Sequence, residues 1–284
     1  MLGQKMVLPG LRQVEQVALA QRGAVAWLAR AGFVARAFLY LVIGGLAALA
    51  AFGYGGGTTD SKGALLEIYG GPFGQILLGA TTVGLFGYGA FMLYRAFWDP
   101  EQGARESWGV LKRVWWGFVA VLHGSLGVYA AQLIDGRGGA GDETKSRTAQ
   151  LLAWAPLGPW LVGAVGIGVM IGAGYGLSCA WRAKLDEQLD LSRVRSATRR
   201  WIVRLCRVGI AARACVGLIA GGFLLTAAVT SNPNEAKGFG ESLATLRGMP
   251  LGGWLFGAVA LGLLAFGFHE LVQARYRRVL GQRV

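Results

Sequence analysis

The sequence is poor in charged residues and in the side chains that hold metals. Only 15% of its 284 residues are charged, against about 25% in a soluble domain. It has 2 histidines and 3 cysteines, and Cys179, Cys206 and Cys215 show no CxxC or Cys/His spacing. This pattern argues against a disulfide framework and a zinc site. We therefore expect no cofactor and no metal.

Catalytic motifs are missing as well. The chain has no P-loop, HExxH, GxSxG or paired-carboxylate arrangement, and the glycine run at 53–57 lacks the Lys-Ser/Thr pair that binds phosphate. We therefore expect a protein that is not an enzyme. An intramembrane enzyme that uses His123 and Ser125 is a weaker hypothesis, because side chains two positions apart diverge around a helix.

Apolar residues dominate the chain, at 54%, and glycine occurs 47 times. A bilayer core needs about 20 apolar residues in a helix, and six stretches satisfy this. They lie at 32–52, 73–94, 114–134, 157–181, 208–229 and 251–272. Barrel strands are about half as long and alternate in polarity, so these stretches predict helices. The expected fold class is an all-α, polytopic membrane protein with six transmembrane helices.

The basic residues are distributed unevenly along this topology. Of the 28 lysines and arginines, 20 lie before the first span, after the sixth, or in the second and fourth loops. The alternate loops contain 6, and two arginines lie within spans. The positive-inside rule then places both termini in the cytoplasm, with the chain in a bacterial inner (plasma) membrane. The rule also explains the net charge of +13, so we expect no nucleic-acid partner.

A motif repeats at the start of the second, fourth and sixth spans. It reads PFGQILLG at 72–79, PLGPWLVG at 156–163 and PLGGWLFG at 250–257. A further glycine follows at one shared offset, as Gly84, Gly168 and Gly262. Each repeat is thus a two-span hairpin, and an even number of spans makes the copies parallel. The simplest assembly is a pseudo-threefold six-helix bundle of three tandem hairpins.

The odd spans also begin alike, with RAGFVAR at 30–36 and RVGIAAR at 207–213. Together with NPNEAKG at 232–238 and the ending FGFHELVQARYRR at 266–278, these motifs resemble the bacterial domain of unknown function 1206 family. The resemblance implies a bacterial membrane protein and carries no assigned activity. Val121 replaces the arginine in the middle repeat. The predicted organisation is a cytoplasmic amphipathic segment (1–26), repeats at 27–98, 108–185 and 201–279, and a basic linker (186–200).

Ionisable side chains within spans are the candidate functional residues, because burying charge in lipid is costly. Glu270, about one turn from the basic end of the sixth span, is the single carboxylate within the predicted spans. Arg36 and Arg213 lie at similar depth in spans one and five. We expect Glu270 to pair with one or both arginines as a structural charge network.

His123 is the deepest polar side chain, near the middle of span three. It is a candidate proton relay or solute contact. The alternative is a neutral imidazole bonded to a carbonyl or a hydroxyl, and the available hydroxyls are Ser125, Thr81, Thr82 and Thr226. Glycines at 168, 172 and 176 predict a close-packing face on span four, within the bundle or between copies.

Four arginines around Trp201 follow helical spacing: Arg193, Arg200, Arg204 and Arg207. They predict a surface helix that contacts anionic lipid headgroups on the cytoplasmic side. The leading interpretation is a non-enzymatic accessory or scaffold protein, or a lipid-interacting bundle, with a membrane-protein partner or a second copy of itself. The alternative is a channel or carrier for small solutes or ions, with its pathway along the pseudo-threefold axis.

Overall fold

The structure is a computed structural model that describes residues 9–98, 109–137, 143–154, 156–181, 189–192 and 194–277. Within these ranges the chain forms nine α-helices and one short 3-10 helix, η1 (Pro233–Glu235). The helices are α1 (Pro9–Ala51), α2 (Ser61–Gly70), α3 (Gly74–Trp98), α4 (Gly109–Ile134), α5 (Glu143–Leu152), α6 (Leu157–Trp181), α7 (Ser196–Thr230), α8 (Phe239–Arg247) and α9 (Gly252–Tyr276).

Six of these helices are long and apolar enough to cross a bilayer, which confirms the predicted six spans. They are Gly23–Ala51, Gly74–Trp98, Lys112–Ile134, Leu157–Trp181, Ser196–Thr230 and Gly252–Tyr276. At about 1.5 Å per residue, each exceeds the ~30 Å hydrocarbon core. The described part of the segment predicted at 1–26 continues into the first span as one unbroken helix, α1. Likewise, the linker predicted at 186–200 ends inside α7.

The spans pack in a cyclic order that follows the repeats. The second span of each repeat packs against the first span of the next: α3 on α4, α6 on α7, and α9 back on α1. Glycines allow these close approaches, as where Gly44 meets the backbone at Leu264, and Gly166 meets the carbonyl of Gly221. The three tandem hairpins of the prediction therefore form a pseudo-threefold bundle.

Helix packing within the repeats breaks this symmetry. A Cβ atom on Gly84 would lie 2.5 Å from the Cβ of Ala35, and one on Gly262 would lie 2.3 Å from the Cβ of Ala212. These glycines hold α3 against α1 and α9 against α7. Gly168, at the same position of the middle repeat, meets nothing within 4 Å. In the described part of the middle repeat, α4 and α6 stand apart and form an open seam, which we call the α4–α6 seam.

Three short helices, α2, α5 and α8, lie in the loops within the hairpins, and the sequence analysis did not predict them. Asp60 begins α2 by accepting the backbone N–H groups of Lys62 and Gly63, at 3.0 Å each. Leu65 of α2 and Leu243 of α8 are fully buried in the bundle. We call this end of the bundle the capped end, and the opposite end, where α1, α4 and α7 enter their spans, the basic end.

The largest hydrophobic core fills the capped half of the bundle. It joins buried side chains from α1, α2, α3, α4, α7, α8 and α9, among them Ile43, Leu78, Leu133, Leu243 and Phe256. The core centres on α1, α3 and α9, which are the most buried spans, whereas α6 is the least buried. The bundle is thus a packed core with α6 at its edge.

Candidate functional site

A buried ion pair joins α1 to α9 towards the basic end. The Nη2 of Arg36 lies 2.9 Å from Oε1 of Glu270, and the two residues are 8% and 1% exposed. The other terminal nitrogen of Arg36, Nη1, donates to the hydroxyl of Tyr88 on α3, whose ring lies 4.4 Å from the guanidinium. One side chain therefore ties together α1, α3 and α9.

The energetics of this pair depend on keeping both partners. Moving two charges out of water is expensive, and their mutual attraction offsets this cost only when hydrogen bonds satisfy the remaining atoms. Tyr88 satisfies one such atom of Arg36, whereas Oε2 of Glu270 is buried and lacks a partner among the described residues. The pair fixes the arrangement of three helices, but leaves one carboxylate oxygen unsatisfied.

Arg213 makes no ion pair with this carboxylate, although it lies within electrostatic range of it. Its Nε donates to the hydroxyl of Tyr40 at 2.7 Å, and its guanidinium carbon lies 5.3 Å from the ring centre of Phe266. The rings of Tyr40 and Phe266 meet edge-on at 4.6 Å. Of the three residues predicted to form one network, the structure brings together Arg36 and Glu270. It places Arg213 on aromatic neighbours instead.

His123 is bonded to its own helix. Its Nδ1 lies 2.8 Å from the carbonyl oxygen of Val119, and its ring packs on Tyr88 at 4.6 Å. The four hydroxyls considered as its partners each donate to a carbonyl of their own helix instead. These are Thr81 to Leu77, Thr82 to Leu78, Ser125 to Leu122 and Thr226 to Gly222. The carbonyl-bonded imidazole is thus the observed arrangement, and no pair forms between His123 and Ser125.

Tyr40 and Tyr88 are the functional side chains that the sequence analysis missed. Both are buried and both bind an arginine of the network. Their signal was available, since Tyr40 stands four residues after Arg36, where side chains on a helix meet. A tyrosine far from a span end also departs from the interfacial belt that the tryptophans follow.

His269 lies next to the ion pair, on the same helix as Glu270. It is 4% exposed, and its Nε2 contacts the side-chain amide of Gln273 at 2.9 Å. Gln273 in turn accepts a hydrogen bond from Arg277. This chain of side chains extends the polar network along α9 to the basic end.

The predicted arginine cluster lies at the start of α7 and is not a separate surface helix. Arg200 and Arg204 are exposed there, and Arg204 lies 5.7 Å from the ring centre of Trp201. Arg207 is half-buried one turn further on. Arg193 lies outside the described residues.

Exposed apolar side chains of α6 line the α4–α6 seam. Leu161 and Val165 are 41% and 37% exposed and share a face of α6 with Gly168 and Gly172. On α4, Val114, Val121 and Val128 are also exposed, at 62%, 69% and 48%. At 100° per residue, however, this valine stripe lies roughly 100–140° from Trp115, the α4 side chain that contacts α6. The valines therefore form an outer apolar face of α4, and the seam is lined mainly by α6.

An indole partly fills the seam near the basic end. A Cβ atom on Gly172 of α6 would lie 2.2 Å from Cη2 of Trp115 on α4, so the Trp115 ring rests directly on this glycine. The three glycines predicted as a packing face behave differently from one another. Gly168 faces open space, Gly172 supports Trp115, and Gly176 lies near Ala214 of α7.

Within the described ranges, no three His, Cys, Asp or Glu side chains come close enough together to hold a metal ion. The arrangement as a whole is one buried Arg–Glu pair, a second arginine on aromatic rings, and an apolar seam. Its chemistry is charge stabilisation and apolar contact.

Comparison with known proteins places this architecture in a family. The chain matches the family described as Domain of Unknown Function (DUF1206) in three segments, residues 31–99, 116–185 and 208–277. These segments coincide with the three hairpins. The chain is also similar to the "Uncharacterized protein YxxB" of Bacillus subtilis (strain 168), with 29% identity over 254 residues, 89% of this chain and 92% of that protein. No solved structure matches the chain. The chain therefore belongs to the DUF1206 family of multi-pass membrane proteins with three helical-hairpin repeats.

Proposed function

We propose that this protein is a non-enzymatic, lipid-interacting membrane bundle, rather than a conduction pathway or an enzyme. The observation that carries the proposal is the apolar filling of the capped half. Fully buried leucines from α2 and α8 join Ile43, Leu133 and Phe256 in one continuous core. A solute on the axis would have to displace this core, since well-packed side chains leave few voids larger than a water molecule.

The same proposal includes an orientation. We place the basic end in the cytoplasm of a bacterial inner (plasma) membrane, with both chain termini on that side, because 20 of the 28 basic residues fall there. Exposed tryptophans at several span ends support a bilayer position for the helices, for example Trp98, Trp181 and Trp254. Fusing a reporter that is active in the periplasm to the C-terminus should give no signal; activity there would reverse the orientation.

Anionic lipid headgroups are the proposed partners at the basic end. Arg200 and Arg204 are exposed at the start of α7, where each basic residue gains about 1 kcal/mol near an anionic surface. A membrane-protein partner or a second copy of the chain is compatible with the exposed apolar faces of α4 and α6. We propose no catalytic activity because His123 and Ser125 do not pair as base and nucleophile. Each of them binds a carbonyl of its own helix instead.

One observation favours a second candidate, a channel or carrier. Glu270 is buried beside Arg36 with one oxygen unpartnered, and intramembrane carboxylates of this kind mark ion and proton pathways in other proteins. The path on this hypothesis would follow the pseudo-threefold axis.

A flux experiment separates the two candidates. The purified chain is reconstituted into vesicles that contain a trapped pH-sensitive dye, and proton, potassium and chloride movements are followed under an imposed gradient. We expect rates equal to those of protein-free vesicles. Flux above that of protein-free vesicles, abolished by Glu270→Gln in a sample whose circular dichroism shows that it is still folded, would instead establish the carrier. The lipid-interacting bundle would then be rejected as the primary function.

A further inference from the structure

The charges inside the bundle do not balance. Within the described spans, away from their ends, the structure has two guanidinium groups, Arg36 and Arg213, and one carboxylate, Glu270. Arg36 takes the carboxylate at 2.9 Å. Arg213 lies within electrostatic range of the same carboxylate, but its direct contacts are a tyrosine hydroxyl and aromatic rings, which are neutral. Two arginines thus share one carboxylate, and because uncompensated charge is costly in hydrocarbon, an anion from outside the chain would stabilise this site.

Arg213 is also open to such an anion. Its Nε is bonded to Tyr40, but its two terminal nitrogens make no hydrogen bond to the described residues, and neither is buried. A guanidinium whose two terminal nitrogens are available can bind an oxyanion through two parallel N–H donors. The site thus has the geometry to bind a phosphate or carboxylate group.

The direction of Arg213 links it to the seam. On α7, Ala214 and Gly217 face α6, whereas Gly209 and Ala212 face α9. At 100° per residue, Arg213 falls between these two faces, on the side that looks into the bundle. Arg213 lies close enough to His123 on α4 for the two side chains to interact electrostatically. Ala214, the next residue of α7, lies near Gly176 of α6, one turn from the glycine on which Trp115 rests.

The seam supplies the apolar half of a lipid site. Leu161 and Val165 of α6 line it, Trp115 of α4 reaches across it to Gly172, and Gly168 adds no side chain to fill it. A molecule that fits both the guanidinium of Arg213 and the apolar seam has an acidic headgroup and a long hydrocarbon tail. We propose that an anionic phospholipid of the leaflet at the basic end occupies the α4–α6 seam, with its phosphate bound to Arg213. This inference rests on the proposed lipid-interacting function and specifies its site.

Lipid retention measured by native mass spectrometry tests the proposal. The full chain is reconstituted in nanodiscs of equal parts phosphatidylglycerol and phosphatidylcholine, and the lipids that remain bound after release are counted. We expect the wild type to keep one phosphatidylglycerol. Arg213→Gln should weaken its retention about tenfold, the equivalent of about 1.4 kcal/mol. Arg213→Lys should retain part of it, since it restores the charge without the bidentate fork.

Two further variants separate the site from general surface attraction. Arg199→Gln removes an exposed charge from the same helix, outside the proposed headgroup contacts, and should leave the retained lipid in place. Gly168→Leu should expel the lipid by filling the seam. Its new side chain meets no atom within 4 Å at Cβ, so the fold should persist, which a thermal unfolding curve verifies.

The outcomes distinguish the proposed lipid-interacting function from the specific lipid site at Arg213. A wild type that keeps no phosphatidylglycerol over phosphatidylcholine overturns the lipid-interacting function itself. Retention in the wild type that neither Arg213→Gln nor Gly168→Leu reduces leaves that function standing and rejects this site. If Gly168→Leu changes a dimer into a monomer, the seam is an interface between two copies and the lipid assignment is wrong.

Discussion

Three glycines at one repeat position give the sharpest test of the open seam. A Cβ atom on Gly262 would lie 2.3 Å from the Cβ of Ala212, and one on Gly84 would lie 2.5 Å from the Cβ of Ala35 and 2.7 Å from a backbone oxygen. Gly168 meets nothing. The same substitution, Gly to Ala, therefore has opposite expected effects at three equivalent positions of the sequence repeat.

The magnitudes follow from packing and chain entropy. Forcing an extra methyl group into a packed contact costs about 1–3 kcal/mol, and this applies to Gly262→Ala and Gly84→Ala. An alanine that fits its site restricts the unfolded chain and stabilises by about 0.4–1 kcal/mol, which applies to Gly168→Ala. We therefore expect Gly262→Ala and Gly168→Ala to differ by about 1.5–4 kcal/mol.

The assay is equilibrium unfolding in mixed micelles by increasing fractions of a denaturing detergent, followed by far-ultraviolet circular dichroism. Each variant is compared with the wild type under identical lipid and detergent concentrations. Equal destabilisation by Gly168→Ala and Gly262→Ala would refute the reasoning, because it would mean that α4 and α6 pack as closely as the other two hairpins.

Three further changes test other contacts in the same assay. Glu270→Gln should destabilise the protein by about 3–5 kcal/mol, because it leaves Arg36 buried without its counter-ion; a variant with both residues replaced by apolar ones should unfold closer to the wild type. Asp60→Ala should cost about 1 kcal/mol through the lost cap of α2, and a null effect would mean that α2 needs no cap. Lys145→Ala removes a 2.7 Å contact to Glu241 at the partly exposed capped end, and it should lower the free energy of unfolding by less than about 1 kcal/mol. A larger decrease would show that the packing of α5 and α8 depends on this contact.

The spans and repeats were predictable because their signals are strong and one-dimensional. Uninterrupted apolar length separates a spanning helix from a strand, and the recurring Pro-Phe/Leu-Gly motif identifies the hairpins. The short helices of the capped end escaped prediction for the opposite reason. α5, for example, is polar along most of its ten residues, and sequence length alone does not distinguish it from a loop.

The candidate site was predictable in depth but not in direction. Counting residues from the span ends predicts one level in the bilayer for Arg36, Arg213 and Glu270, and in the structure the carboxylate lies within electrostatic range of both arginines. Which arginine takes the carboxylate depends on the rotation of α1 and α7 about their axes, and both arginines follow the same motif. In the structure Tyr88 accepts a hydrogen bond from Arg36, and Tyr40 accepts one from Arg213 while also lying close to Arg36.

The open seam follows from residues in which the middle repeat departs from the other two. Four residues after the shared glycine, the outer repeats have Tyr88 and Phe266, large rings that pack between the two helices of their hairpin, whereas the middle repeat has Gly172. Val121 stands where the others have arginine, and Trp115 fills only the part of the gap near Gly172. Since an unfilled gap costs packing energy, the loss of the large ring at Gly172 is better explained by an occupant of the seam than by a hairpin that packs poorly.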